Sequence, residues 1–227
     1  LMSNERGVKV LLLGGVAGIS PTEVVILGAG IAGMVAARTA LALGAQVKIF
    51  DHDISKLRKI QHYLGQQVFT SVIHPAVLFR ALASADAVIG NLRYIYGSER
   101  FMVSEDLVKT MKTGAVIVDL SVDQGGCFET SKCRTLKNPM FEKHGVIHYC
   151  LPNISARVAR TASMALSNIF APMMLKIARS GSVEQAVKES AGFRNGAYVF
   201  GGVLVNRLIG DYYDMPSSDI GLLIAGY

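Results

Sequence analysis

Cysteine is scarce in this chain: Cys127, Cys133 and Cys150 are the only three in 227 residues. Their number is odd and their spacing fits no zinc-ligand pattern. That argues against a disulfide framework and against a structural zinc site, and makes a reducing cytoplasm the expected setting. Long basic tracts are missing too. The formal net charge is +6, yet no block of Lys or Arg exceeds two residues. A nucleic-acid-binding tail is therefore not written here, and the charge suits a nucleotide or another small anionic ligand. No uninterrupted apolar run reaches the length of a membrane span, and the opening "LMSNERG" lacks the basic-then-apolar layout of a secretory signal. A soluble protein with no membrane partner is expected. Internal repeats and low-complexity segments are absent as well. What the chain does have is apolar content, 51% of its residues, enough to build a core for one or two domains. It opens on Leu rather than Met, with a polar turn following at once, and so is expected to begin inside a longer polypeptide.

Short runs rich in Val and Ile alternate with helical patterns. The strand candidates are "VKVLLL" (8–13), "EVVIL" (23–27), "AQVKIF" (45–50), "QQVFT" (66–70), "ADAVIG" (85–90), "GAVIVDLSV" (114–122) and "GVIHYC" (145–150). They are apolar on both faces, as a buried parallel sheet requires. Between them lie "GMVAARTALALG" (33–44), "DISKLRKIQHYLG" (53–65), "PAVLFRALASA" (75–85) and "SEDLVKTMK" (104–112), with Gly44 and Gly65 as helix stops. Ser104 heads no capping box, because Leu107 stands where Glu or Gln would be, but Glu105 and Asp106 suit the first turn of a helix. The alternation predicts an α/β fold, a Rossmann-type doubly wound parallel sheet.

After Cys150 the texture changes. "ARVARTASMALSNIFAPMMLKIARSG" (156–181) reads as one long helix, dense in Ala and Met and bent at Pro172. The pieces beyond it, "SVEQAVKESAG" (182–192), "FGGVLVNRLIG" (200–210) and "SSDIGLLIAGY" (217–227), are too few for an independent domain. The expected organisation is a nucleotide-binding domain over 1–158, then a connecting helix and the C-terminal remnant of a split second domain over 159–227.

"VVILGAGIAG" places Gly28, Gly30 and Gly33 in G-x-G-x-x-G spacing at the end of a strand and the start of a helix, with Ile31 at the helix start. In a dinucleotide site the first glycine makes the tight turn, the second lets the backbone approach a pyrophosphate, and the third lets helix and sheet pack closely. The helix start offers free N–H groups to the anion. The second strand ends in Asp51, where a carboxylate would accept from the hydroxyls of an adenosine ribose. That carboxylate would repel a 2′-phosphate, so NAD is the expected cofactor; Lys56 and Arg58 lie just downstream. A second signal is "VDLSVDQGGCFET" (118–130), where an apolar strand runs straight into Asp123, Gln124 and two glycines. Ligands of open parallel sheets sit beyond the carboxyl ends of the strands. Asp123 would be delivered to that mouth, with Gly125 and Gly126 keeping side chains out of the way.

Four stretches, "LGGVAGISPTEVVILGAGIAG", "FDHDISKLR", "MKTGAVIVDLSVDQGGCFET" and "VIHYCLPNISARVARTAS", together resemble the nucleotide-binding half of the alanine dehydrogenase family, over nearly the whole chain. The chain is similar to the branch whose last motif carries Pro and Ile, here Pro152 and Ile154. The wider family includes the proton-translocating nicotinamide transhydrogenase alpha subunit, whose loop is of an acid-Gln-Gly-Gly-Asn type; Asp123 in "DQGGCFE" favours the dehydrogenase. The resemblance implies reversible NAD-linked oxidative deamination of L-alanine to pyruvate and ammonium, with Asp123 as a catalytic carboxylate beside nicotinamide and substrate. It further implies that Asp51 and Lys56 hold the adenosine ribose and that Leu92 and Arg93 line the cofactor cleft. Leu120, Ser121, Val122 and Asp123 would meet the nicotinamide ribose and amide together with Leu151, Pro152, Asn153 and Ile154.

The chain departs from the family at two positions and by one absence. Lys132 stands where the family has an Arg, with Arg134 two places on, and Pro152 removes a backbone donor. The family's substrate-binding Arg and Lys and its catalytic His belong to an N-terminal domain that precedes Leu1. None of His52, His62, His74, His144 or His148 has a context that replaces that histidine. The chain alone is therefore expected to bind NAD without turning over alanine, and the family association is a homohexamer. The alternatives are a transhydrogenase alpha-type role and a non-catalytic module that binds or senses NAD. Cys127 is read as a small packed residue beside the loop, open to modification if a nucleotide lies near.

Overall fold

Residues apolar on both faces need cover on both faces, and the first half of the chain supplies it. The computed structural model describes residues 11–92 and 101–226. Its elements follow as β1 (Glu23–Leu27), α1 (Ile31–Ala42), β2 (Gln46–Asp51), α2 (Ile54–Leu64), β3 (Phe69–Val72), α3 (Pro75–Ser84), β4 (Ala87–Gly90), α4 (Glu105–Lys109), β5 (Val116–Asp119), β6 (Met140–Lys143) and β7 (Val146–Tyr149). The strands form one sheet in the order β3-β2-β1-β4-β5-β7-β6. Neighbours pair parallel, except that β6 runs antiparallel to β7. Strand order reverses between β1 and β4, which makes that boundary the switch point where ligands of such sheets bind.

The alternation along β1 assigns the helices to their faces. Val24 and Ile26 join Val47 and Ile49 of β2 against Ala37 and Ala40 of α1 and Leu57 and Ile60 of α2. Val25 and Leu27 face the other way, with Phe50, Val88 and Ile117, against Leu78, Ala81 and Leu82 of α3 and Val108 of α4. Each fully buried aliphatic or aromatic side chain contributes about 1.5–3 kcal/mol, so these two layers fix the helices to the sheet.

Helix ends follow local chemistry. Asp53 caps α2 by accepting from Ser55 N–H at 2.8 Å, and Gly65 ends it in the left-handed region. Ser104 caps α4, accepting from Leu107 N–H at 3.4 Å without a reciprocal Glu. Glu105 is turned elsewhere: its carboxylate takes Lys143 at 2.9 Å and His144 at 2.6 Å, and these bonds hold its pKa down at about 2.

Two sequence expectations differ from this fold. Of the strand expected over 8–13, residues 8–10 lie outside the described residues, and Leu11 to Leu13 form no strand. Leu12 C=O closes a turn onto Gly15 N–H and Leu13 C=O takes Thr22 N–H, so the backbone is spent on turns. Strand β6, "MFEK", was not expected. It is an edge strand with half-exposed residues, so it lacks the two-faced apolar signature.

The chain divides into two compact units, Leu1–Ile154 and Ser155–Tyr227. The second opens on α5 (Ala159–Arg179), which continues through Pro172, followed by α6 (Val183–Glu189), α7 (Ala191–Gly196), the hairpin strands β8 (Val199–Phe200) and β9 (Val203–Leu204), α8 (Arg207–Tyr213) and α9 (Ile220–Ala225). Ser182, Asn206 and Asp219 cap α6, α8 and α9. No residue of α5 is buried, and Met164, Ile169, Phe170 and Met174 stand exposed along it. No helix among the described residues is long and apolar enough to cross a membrane.

Candidate functional site

The glycine turn after β1 is built by close backbone approach. Gly28 has φ +110°, and a Cβ there would lie 3.0 Å from Asn91 O, on the segment after β4. A Cβ at Gly33 would lie 1.9 Å from Gly28 O, so only glycine lets α1 pack on the turn. Gly30 differs: the nearest atom to its would-be Cβ is Asn91 Nδ2 at 3.9 Å. The space in front of Gly30 is open. No side chain caps α1 at Gly30 and no acid stands in its first turn, so its leading N–H groups present partial positive charge to that space. Ile31 is exposed beside them. These residues fit a dinucleotide's pyrophosphate: a cradle that a side chain would fill, at an uncapped helix start.

Asp51 does more than end β2. Its carboxylate is buried and accepts Ala29 N–H at 2.7 Å and Asp53 N–H at 2.9 Å, tying the glycine turn to the start of α2. Each oxygen retains acceptor capacity, since a carboxylate offers about four sites. Lys56 is exposed on the first turn of α2. A cleft of about 480 Å³ is lined by His52, next in sequence to Asp51, and by Ile73, Pro75, Leu78, Phe101, Met102, Ser104 and Leu107. Sequence reasoning missed this cleft, because its walls come from separate segments with no shared motif.

The second wall of the mouth follows β5. Leu120 N–H bonds to Gly90 O at 2.8 Å, and Val122–Gln124 make one 3-10 turn. Asp123 is exposed on that turn, while Ser121, Val122 and Leu151 are buried, so the last three offer a ligand backbone rather than side chains. The loop frame is stitched throughout. Met102 and Val103 N–H both bond to Cys127 O, and Glu129 N–H bonds to Val103 O. Thr130 Oγ1 lies 2.7 Å from His148 Nε2, and His148 Nδ1 meets Val146 O at 3.0 Å. A carbonyl requires Nδ1–H, so Nε2 accepts from Thr130. Burial lowers the His148 pKa, in keeping with this neutral form.

The remaining candidates sort by exposure. Leu92 is half-buried and packs against the core, and Arg93 lies outside the described residues. Pro152 is half-buried, and Asn153 and Ile154 are exposed after β7. Asn153 adopts φ 53°, a left-handed conformation that Asn tolerates better than most residues. Lys132 is exposed, whereas the Arg134 guanidinium sits 4.5 Å over the Phe141 ring. Among the described residues no group of three or more His, Cys, Asp or Glu could hold a metal ion. Asp119, which sequence reasoning passed over, is a buried carboxylate bonded to the loop that carries Asp123. An acid ending an apolar strand was the available signal.

Cys127 is buried and its thiol is pushed up to about 12, by burial first and by the Asp119 charge second. Cys150 is buried as well, with its pKa raised chiefly by burial, and Cys133 is exposed. Because the thiolate is the reactive form, native protein should titrate one thiol rapidly with Ellman's reagent and all three only after denaturation. Fast reaction of a second thiol in the folded state would contradict the packing around Cys127.

The profile of the family described as "Alanine dehydrogenase/PNT, C-terminal domain" matches residues 1–207. An alanine dehydrogenase of Methanococcus maripaludis is 38% identical over 216 residues, 95% of this chain and 58% of that protein. A solved L-alanine dehydrogenase superposes with a TM-score of 0.84 at 37% identity, covering 92% of this chain and 57% of that one. A transhydrogenase from Sinorhizobium meliloti follows at a TM-score of 0.63 and 25% identity, covering 83% and 50%. The chain thus spans little more than half the length of the alanine dehydrogenases it matches. With the doubly wound sheet, the glycine turn and the Asp123 loop in place, this chain belongs to the alanine dehydrogenase/PNT C-terminal domain family.

Proposed function

We propose that the chain is the NAD-binding part of an enzyme that reversibly deaminates L-alanine to pyruvate and ammonium, and that Asp123 is its own contribution to the chemistry. One observation carries the reading: Asp123 is an exposed carboxylate on a turn within a buried, hydrogen-bonded frame, at the same end of the sheet as the uncapped glycine turn. On this reading the pyrophosphate lies over Gly28, Gly30, Ile31 and Gly33. The adenosine ribose meets Asp51 and Lys56, and the adenine enters the apolar cleft beside His52. The nicotinamide side meets Leu92, Leu120 to Asp123 and Leu151 to Ile154, with Lys132 supplying positive charge.

When bound, the nicotinamide ring accepts a hydride. Loss of that hydride from the alanine Cα, once the ammonium has given up one proton to solvent, would leave an iminium cation on the substrate. The Asp123 carboxylate stabilises this cation and orients the water that hydrolyses it. The groups that grip the alanine carboxylate, and the catalytic His, come from an N-terminal domain outside the 227 residues, so this chain alone is inactive toward alanine. Residues 1–158 serve as the nucleotide domain and 159–227 as connecting helix and part of the split catalytic domain, in a cytoplasmic homohexamer. A purely sensing role would leave Asp123 without a task.

Calorimetric titration with NADH and NADPH tests the cofactor assignment. NADH should bind saturably and NADPH roughly tenfold more weakly or worse, since a 2′-phosphate beside the Asp51 carboxylate is a like-charge contact. Equal affinities would remove Asp51 from the role given to it.

A further inference from the structure

Asp119 closes β5 with its carboxylate almost wholly buried, at 1% exposure. Four donors converge on it. Oδ1 accepts Ser121 N–H at 3.1 Å and Ser121 Oγ–H at 3.1 Å; Oδ2 accepts Cys127 N–H at 2.9 Å and Ser131 Oγ–H at 2.6 Å. A carboxylate offers about four acceptor sites, so none is left over. Gly126 packs on the same group, since a Cβ there would lie 2.8 Å from Oδ2. The bonded residues bracket the turn that carries Asp123, Ser121 before it and Cys127 and Ser131 after it.

The network reaches further by one group on each side. Cys127 Sγ lies 3.2 Å from Ser121 Oγ, takes Leu92 N–H at 3.2 Å and lies 3.3 Å from Leu92 O, on the segment after β4. Ser131 Oγ accepts from Cys150 Sγ at 3.6 Å, on the segment after β7. One buried charge therefore connects the segments after β4, β5 and β7.

We propose that Asp119 is a positioning residue: by clamping residues 121–131 it sets where Asp123 and the nicotinamide-side wall stand, without touching the ligand itself. The proposal rests on the NAD-binding reading above. A neutral amide cannot replace it. Serine hydroxyls can reverse their roles, but Ser121 N–H and Cys127 N–H, one on each oxygen, cannot. Whichever way an asparagine amide is turned, its NH₂ faces a backbone N–H, and one end of the loop must move.

The test compares NADH with ADP-ribose, which lacks the nicotinamide, on the wild-type chain, on Asp119→Asn and on the milder Ser131→Ala, with thermal melts alongside. Asp119→Asn should weaken NADH roughly tenfold or more while ADP-ribose stays within about twofold, and Ser131→Ala should show the same split at about threefold. Unchanged NADH binding in Asp119→Asn, or equal loss of both ligands, overturns the positioning role. So does a wild type in which NADH gains nothing over ADP-ribose, because no nicotinamide-side wall would then exist to be positioned. If Asp119→Asn loses its cooperative melt, Ser131→Ala decides: a selective NADH loss supports the role and unchanged NADH overturns it. Wild-type protein that binds neither ligand overturns the NAD-binding reading and takes this inference with it.

Discussion

Asp123→Asn should lower alanine-dependent NAD reduction roughly 10²–10⁴-fold in an assembled enzyme carrying this chain, the range for loss of a positioned acid–base group. The same change should leave NADH affinity within a few-fold and stability within about 0.5 kcal/mol, because the side chain is exposed and the loop frame is bonded through other residues. A steady-state assay beside a thermal melt reads both quantities. Activity that survives within threefold would strip Asp123 of its catalytic role, and would move the chain toward the transhydrogenase-type or sensing alternatives.

The second large effect lies in the glycine turn, where two glycines should behave oppositely. Gly33→Ala places a methyl 1.9 Å from Gly28 O and 3.0 Å from Gly28 C, both backbone atoms that cannot rotate away. Helix α1 must shift from β1, at a cost of about 2–3 kcal/mol, with loss of measurable NADH binding. Gly30→Ala meets only Asn91 Nδ2 at 3.9 Å, at an ordinary φ of −75°. It should fold nearly as the wild type, losing no more than about 1 kcal/mol at the helix cap, and yet bind NADH roughly tenfold more weakly as the methyl occupies the pyrophosphate's approach. Denaturant melts and NADH titration of the pair separate the two roles. A Gly30→Ala variant with full affinity would show that nothing binds there.

Local pattern made much of this fold readable. Val and Ile runs marked β1, β2, β4, β5 and β7 because strands covered on both faces must be apolar throughout. Gly44 and Gly65 marked helix ends because positive φ is cheap for glycine alone. The leucines at 11–13 carried the same apolar signature without forming a strand, since Leu12 C=O closes a turn onto Gly15 and Leu13 C=O bonds to Thr22 across the loop. Strand β6 was missed for the converse reason: an edge strand needs apolar cover on one side only, so its pattern is weak.

The candidate site divides along the same line. Spacing within one turn of chain determined the glycine loop, the acid at the end of β2 and the placing of Asp123 beyond a strand, because these depend on backbone conformation over a few residues. Tertiary structure alone decided how much acceptor capacity each carboxylate keeps for a ligand. Asp119 meets four donors that take up its acceptor sites and Asp51 two backbone N–H groups that leave it capacity, whereas Asp123, four positions beyond Asp119, stands in the open. An aspartate in a sequence is only a charge with two oxygens; its partners, brought from elsewhere by the fold, determine whether those oxygens are already spent.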